Sequence, residues 1–471
     1  MFDMNNVALS KIQIKKLFNR FDYYIDFNNG ENVSILTAPN GCGKTTIFNF
    51  INFIFNPSYE SLNKIILVPF ESFECIIENG TSIKIERVIN KKARGGVNNY
   101  YVQRSNFNIY KAFQDNIDFV VSVNNSVKTK LSESLKSNRI IKRPMPLPND
   151  SEEEMFPEER FMSHREYRIS RDICIEFLDS YRQKVQKLIT DIPITFISAN
   201  RISDFFVLFP KDTRYFPRFR YPELMDEFDE RFDRSDPLAI VSREFIEILR
   251  KCNSNYQARL SEAKDKLPNA FLQAQGAESK FKDFEEFKQA WNGYQEKLTR
   301  FKNAGLIGAS DDRNLNISSL DDAYKNNRKF LETYISVFGS TVNAYEDIYQ
   351  KIDLFSKILN KRNELTHKVV KFSENGIQME FQGEPLDLNC LSSGEKNDFV
   401  MFYNLIFKAK TNGVILVDEP EISLHIEWQE EYLDHLIKIC RLNNMQAIVA
   451  THSPNIISRH CDLILDFVDE E

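Results

Sequence analysis

Apolar and polar residues alternate in short runs at the start of the chain. KIQIKKLF, YYIDF and NVSILTAP, in the stretch from about Ala8 to Arg87, are each partly alternating and broken by Asn or Gly, and predict three strands. The period then changes. Gly41 and Gly43 follow the third run directly, and TTIFNFINFIF continues with helical spacing, so this part reads as strand, glycine-rich loop, helix. FECIIENGTSIKIERVI predicts two strands around Asn79-Gly80, and NNYYVQR a further one after the basic turn Lys91, Lys92, Arg94, Gly95, Gly96. Together these predict an antiparallel sheet added beside the first unit.

From Ser122 to Arg168 the pattern is lost. KRPMPLPNDSEEEMFPEER concentrates prolines before an acidic run and reads as an exposed loop or linker. ITFISANR, ending at Arg201, is a short apolar strand. RYFPRFRYPELMDEFDERFDRSDP then alternates arginines with aromatics before turning acidic. Between about Pro237 and Thr366 the spacing is mainly helical, and Phe338, Val342, Tyr345, Ile348, Ile352, Phe355 and Leu359 step by three and four onto one face, a short coiled-coil-like pattern. After Lys371 come the β-type turn SENGIQMEF, LNCLSSGEKNDFVMFYNLIF, the strand VILVD, a helix, and the strand AIVATHS. The organisation expected is a first lobe at 1–121, an insertion at 122–370 (linker 122–168, mixed and helical 169–370) and a second lobe at 371–471. The fold class expected is α/β.

Composition narrows the function classes. A chain of 471 residues allows roughly two to four domains, and 15 glycines are few for that length, which makes any cluster of them informative. The formal charge of −7 excludes a surface that coats nucleic acid non-specifically, so any such contact needs a local basic patch. Two stretches qualify: Lys91, Lys92 and Arg94, and Arg214, Arg218 and Arg220 among Tyr215, Phe216, Phe219 and Tyr221. Seven cysteines stand without a CxxC pair or a histidine at metal-ligand spacing, so no disulfide framework or zinc module is legible. MFDMNNVALSKIQIKK lacks a signal pattern and no apolar run is long enough to span a membrane. A cytoplasmic protein without a membrane partner is expected.

The chemistry sits in short motifs at the ends of these elements. Ala38-Pro-Asn-Gly-Cys-Gly-Lys-Thr45 occupies the strand-to-helix turn and matches GxxxxGK[ST] except that Ala38 replaces the first glycine. Backbone N–H groups at a helix N-terminus, a lysine and a hydroxyl are what phosphate oxygens and their Mg²⁺ require. Val414-Ile-Leu-Val-Asp418-Glu419 is an apolar strand ending in two carboxylates, one for a metal shell and one to polarise water. Two further elements are Leu391-Ser-Ser-Gly-Glu395, followed by Lys396, and Ala450-Thr-His452-Ser-Pro.

In this order the motifs resemble those of ABC-type ATPases: Walker A, the signature LSGGQ, Walker B and the switch histidine, with Glu421-Ile-Ser-Leu-His425 where the D-loop belongs. The resemblance covers about Val7–Arg104 and Lys371–Asp466. It implies an ABC-type P-loop ATPase head with an added antiparallel sheet, split by a helical insertion. Asn40, Gly41, Cys42, Gly43, Lys44, Thr45 and Thr46 would surround the phosphates of ATP, and Thr45 and Asp418 would hold Mg²⁺. Glu419 and His452 would be catalytic. Ser392, Gly394 and Glu395 would act in trans on the γ-phosphate of another copy, which implies a head-to-tail dimer at least, with higher oligomers in the same family. The Q-loop residue is open between Gln103 and the pair Asn200, Arg201.

Lys44 and Ser392 are separated by most of the chain, far more than in transporter ATPases, which disfavours transport through a separate membrane subunit. Such split heads resemble the SMC, RecF, RecN and OLD-type group. DEPEISLHIEWQEEYLDHL followed by ATHSPNII looks most like compact prokaryotic OLD-like members, among them the ATPase subunits of two-component anti-phage systems of the Septu, PARIS and retron-associated kinds. OLD nucleases continue into a TOPRIM domain, whereas this sequence stops shortly after His452, and its terminal acids Asp466, Asp469, Glu470 and Glu471 read as solvated charges. The expectation is an ATP-driven sensor or scaffold that answers a phage trigger and holds a separate effector, a nuclease in the first instance. The alternative is a RecF- or SMC-like ATPase of DNA repair or DNA clamping.

Overall fold

The computed structural model describes residues 9–27, 31–89, 117–131, 174–189, 192–197, 237–274, 279–307, 319–373, 376–424, 426–465 and 468–469. The chain divides into two compact units, one formed by Met1–Arg201 with Ala409–Glu471 and the other by Ile202–Lys408. The first unit opens with β1 (Leu9–Leu17), β2 (Phe21–Asp26) and β3 (Val33–Leu36), followed by α1 (Lys44–Phe55) and α2 (Tyr59–Ile65). β4 (Ser72–Ile77) and β5 (Ser82–Ile89) form the expected hairpin, with Gly80 at φ 82 in its turn. β6 (Ile117–Val123) and β7 (Ser126–Lys130) follow. The segment read as a linker from residue 122 therefore begins as sheet, because Val121, Val123 and Thr129 present one buried face that pays for the pairing. The short apolar strand is β8 (Ile194–Ile197). NNYYVQR, the rest of the linker and the Arg-aromatic stretch lie outside the described residues.

The second unit is mainly helical. α3 (Pro237–Ala274), α4 (Phe284–Asn303), α5 (Leu320–Phe338) and α6 (Glu346–Arg362) carry it, and α4 and α5 are capped by Asp283 and Ser319 accepting from backbone N–H three residues on. Their shared face is aromatic: Phe287 stacks on Tyr324 at 4.5 Å and Tyr334 on Phe338 at 4.7 Å. The seven residues expected on one helical face are all buried, but they do not belong to one helix. α5 ends at Phe338, Gly339 closes it, and a 3₁₀ turn at Thr341–Tyr345 separates it from α6. The apolar spacing passes through the break because a 3₁₀ turn keeps every third residue on one side. β9 (Lys368–Ser373), β10 (Gly376–Phe381) and β11 (Glu384–Leu386) make a small antiparallel sheet, and α7 (Ser393–Tyr403) completes the unit.

The chain then returns to the first unit through β12 (Val414–Asp418), α8 (Ile426–Asn443), β13 (Gln446–Ala450), α9 (Pro454–Ile457), β14 (Ile464–Leu465) and β15 (Val468–Asp469). A five-stranded parallel sheet has the order β14-β3-β13-β12-β8, and a seven-stranded antiparallel sheet the order β15-β2-β1-β4-β5-β6-β7. β3 and β12 are buried at every position, as parallel strands covered on both faces must be. α1 packs against both sheets. Phe50 stacks on Phe73 of β4 at 4.7 Å, and Phe48 meets Phe196 of β8 edge-on at 6.0 Å. The Tyr181 hydroxyl donates to Ile54 O near its C-terminal end. Gln446 joins the sheets by accepting from Leu9 N and donating to Leu9 O, both at 3.0 Å. The chain is thus an α/β protein with an added antiparallel sheet and a helical insertion. Phe50→Ala, which empties the fully buried contact between α1 and the antiparallel sheet, should destabilise the first unit by about 3–5 kcal/mol in chemical unfolding. Leu188→Ala, at a side chain 51% exposed, should change it by less than about 0.5 kcal/mol.

Candidate functional site

Three parallel strands end level with one another. Asp418 pairs with Ala450 and Ala450 with Leu36, so the segments that follow β12, β13 and β3 leave the sheet at one edge. After β3 the chain turns through Gly41 at φ 86 and Gly43 at φ 93, and Gly43 caps α1. A Cβ at Gly43 would lie 2.5 Å from Leu17 Cδ2 and 3.2 Å from Phe18, so both its backbone and its neighbours demand glycine. Gly41 has open space and only its backbone asks for it. Asn40 is exposed at the turn, Cys42 and Thr46 are half-buried, and Cys42 N donates to Pro39 O. The loop delivers Lys44 as the first residue of α1.

Lys44 is 6% exposed. Its ammonium donates to Ala38 O at 2.6 Å and contacts His452 Nε2. For a protonated lysine, Nε2 must be the acceptor, which puts the imidazole proton on Nδ1. Burial pulls the lysine below its ordinary range, and the Glu419 carboxylate, then Cys42, Asp418 and Glu421, act against that. Beside it the Thr45 hydroxyl donates to Asp418 Oδ2 at 2.7 Å. Burial pushes the Asp418 carboxyl up, with the Thr45 hydrogen bond opposing. Asp418 is 3% exposed and its Oδ1 is buried without a hydrogen-bond partner. A hard, anionic oxygen left unsatisfied next to a hydroxyl is a donor set that suits a small divalent cation. Among the described residues no group of three or more His, Cys, Asp or Glu could hold a metal ion.

Glu419 follows at φ 45, ψ 59, in the left-handed region that a non-glycine residue adopts at a cost. Its N–H donates to Ala450 O at 2.8 Å, which holds the strained turn against β13. His452 comes two residues after β13. The structure therefore brings Lys44, Thr45, Asp418 and His452 together and sets Glu419 beside them. Gln103, Asn200, Arg201, both basic patches and His425 lie outside the described residues. Of two further residues here, Glu421 was read only as the start of the D-loop segment and Gln429 had no role in the motif reading. The Glu421 carboxylate accepts from Thr451 Oγ1 and His452 N, and Gln429 bonds both Glu421 O and Ser453 Oγ. Sequence spacing contains no signal for either contact, since both cross between separate strands' loops.

The signature segment belongs to the second unit. Ser392 caps α7 by accepting from Glu395 N at 3.3 Å, and Glu395 Oε2 accepts from Ser392 N at 2.7 Å, a reciprocal capping box. Lys368 of β9 donates to both Glu395 oxygens, at 2.9 and 2.8 Å. Gly394 is different. Apart from its chain neighbours and the helix's own backbone, no described atom lies within 4 Å of the position a Cβ would take, and its φ is not positive. Arg362, 2% exposed at its side chain, pairs with Asp398 one turn along α7 at 2.7 Å and lies over the Phe402 ring. All seven cysteines are free thiols, and burial pushes Cys75, Cys174 and Cys440 up to about 12. No described helix is long and apolar enough to cross a membrane.

A glycine turn on a helix N-terminus, a buried strand-end aspartate bonded to the hydroxyl beside it and a histidine from the neighbouring strand define a P-loop ATPase. The chain matches the AAA ATPase domain family over residues 8–457 and belongs to it. It is 30% identical over 129 residues to the Retron Ec83 probable ATPase of Escherichia coli, an overlap of 27% of this chain and 23% of that protein. Among solved structures it is similar to the Smc head domain with an extended coiled coil bound to the C-terminal domain of ScpA, derived from Pyrococcus furiosus, at 13% identity and a TM-score of 0.36, covering 98% of this chain and 96% of that one. A SmcHead bound to the C-winged helix domain of ScpA gives 11% identity and 0.37, covering 98% and 97%. Gly43→Ala should destabilise the first unit more than Gly41→Ala, for which the left-handed backbone alone costs about 1–2 kcal/mol. Paired chemical denaturation curves check the order; equal losses would remove the Leu17 contact as a cause.

Proposed function

We propose that the protein is the ATP-binding and hydrolysing sensor or scaffold subunit of an anti-phage system, controlling a separate effector protein, a nuclease in the first instance. The observation that carries the ATPase part is the convergence of Lys44, the Thr45–Asp418 pair and His452 at one edge of the parallel sheet. Residues Asn40 to Thr46 surround the phosphates with backbone N–H groups at the start of α1, and Lys44 turns from Ala38 O and His452 toward them. Thr45 and Asp418 would hold Mg²⁺, which supplies positive charge against the phosphate oxygens. Glu419, in the left-handed turn directly after β12, polarises the attacking water. His452 contacts the terminal phosphate and senses its loss.

The signature acts in trans. Gly394, in the first turn of α7, has open space where a side chain would stand, which leaves room there for a phosphate of another copy. The group in question is the ATP that a second copy carries at its own Lys44, and the active form is then a head-to-tail dimer at least. Within the segment Ser392 and the α7 N-terminus face the phosphate. Glu395, whose anion is neutralised by Lys368, sets the cap. The defence role is supported by the motif resemblance to OLD-like and retron-associated ATPases and by the partial identity to the Retron Ec83 probable ATPase.

Lys44→Ala should lose nucleotide binding, whereas Glu419→Gln should keep it and accumulate the ATP-bound dimer, read by light scattering with and without ATP. Glu419→Gln with an unaltered hydrolysis rate would remove Glu419 as the base. Co-expression with the neighbouring gene, followed by affinity purification and phage plating, tests the role: a co-purifying effector and protection lost on Lys44→Ala support it. Steeply salt-dependent, ATP-stimulated DNA binding without an effector would establish the RecF-like alternative instead.

A further inference from the structure

The loop after β12 and the loop after β13 are tied together by two side chains, Glu421 and Gln429, to which the motif reading gave no bonding role. Glu421, two residues beyond Glu419, places one carboxylate oxygen on Thr451 Oγ1 at 2.8 Å and the other on His452 N at 2.9 Å. Thr451 is fully buried and its hydroxyl in turn accepts from Ser453 N at 3.0 Å. Gln429, in the first turn of α8, makes a second tie. Its Nε2 donates to Glu421 O at 3.4 Å and Leu424 O at 3.2 Å, and its Oε1 accepts from Ser453 Oγ at 2.8 Å. Each residue therefore bonds the 419–424 turn on one side and the 451–453 turn on the other. Charge-assisted bonds to the backbone are the stronger kind, and here one lands on the N–H of His452 itself.

We propose that Glu421, seconded by Gln429, is a positioning residue for His452. The peptide N–H of His452 fixes where its side chain begins, and the Thr451 bond stops the loop from rotating about that point. The ring thereby keeps Nε2 at Lys44. The same two ties make the histidine follow the turn that carries Glu419. That turn presents Ile422 and, just after it, Ile426 to solvent, each 61% exposed. A displacement of the turn moves Glu419 and His452 as one body, which keeps the water-polarising group and the phosphate contact in step. Glu421 acts through His452 and touches no reacting atom. The proposal rests on the role given to His452 above.

The test uses the full chain. Glu421→Ala should lower kcat by about ten- to a hundred-fold and leave the KM for ATP within about three-fold. The double variant Glu421→Ala/His452→Ala should be no slower than His452→Ala alone, because both changes remove one interaction. Glu421→Gln keeps an oxygen for His452 N and a polar group for Thr451, so it should restore most of the rate; a general base would not be rescued this way. Gln429→Ala should show a smaller loss of the same kind. A second readout needs no nucleotide. With six histidines in the chain, ¹³Cε1-histidine labelling gives a countable spectrum, and the His452 resonance is the one lost in His452→Ala. It should shift in Glu421→Ala and hold its position in Glu421→Gln. An unmoved resonance in Glu421→Ala, or losses that multiply in the double variant, overturns the proposal. If His452→Ala hydrolyses ATP at the parent rate, the role of His452 falls, and the resonance still decides whether Glu421 holds its ring.

Discussion

The in-register parallel ladder of β3, β13 and β12 is the constraint on which the site depends. Leu36, Ala450 and Asp418 stand in one row, so the glycine turn, the histidine loop and the two carboxylates leave the sheet at the same level. A slip of one residue would move a strand end by about 3.3 Å and turn Asp418 to the opposite face. The register is held where the strands begin as well. Val414 N donates to Pro193 O, a Cβ at Gly413 would meet that same oxygen at 2.5 Å, and Asn412 turns at φ 60 with its N–H on Asn443 O.

On that frame the fold places groups that resist burial. Lys44 and Asp418 are both held away from their ordinary ionisation, each by burial, and the contacts that offset this are short polar ones: Ala38 O and His452 for the lysine, Thr45 for the aspartate. Glu419 adds a strained backbone. What sustains these costs is the packing of α1, apolar on nearly all sides because it lies against two sheets, with Phe48 on one and Phe50 on the other. The glycine turn is therefore anchored at its far end by a helix that has no alternative position.

Much of this was legible in sequence where the chemistry needs adjacent residues. Gly41, Gly43, Lys44 and Thr45 fall within five successive positions because one turn must supply N–H groups, cation and hydroxyl together, and Asp418-Glu419 are adjacent because one strand end must supply both acids. The parallel and antiparallel strands around them were legible by period, as with the hairpin at Asn79-Gly80. Other features were not. Residues 122–130 read as linker by composition and became strand through pairing with β5 and each other. The single helical face from Phe338 to Leu359 proved to be two helices around a 3₁₀ turn, since a stripe of buried residues does not register a change of pitch. The lock of Lys368 on Glu395 is invisible because the partners sit on separate elements.

The sequence by itself determined the class of protein and the local elements that carry its motifs, because turns, caps and helix starts are set by neighbours along the chain. The tertiary structure alone decided that β8 flanks β12, that β15 returns to pair with β2, and that Gln446 joins the two sheets. It also decided which motif side chains meet: Lys44 with His452, Thr45 with Asp418, Glu421 with the backbone of His452. The physical reason is distance along the chain. These contacts join residues tens to hundreds of positions apart, and their geometry comes from strand register and from the burial of α1, neither of which leaves a mark on any single stretch of sequence.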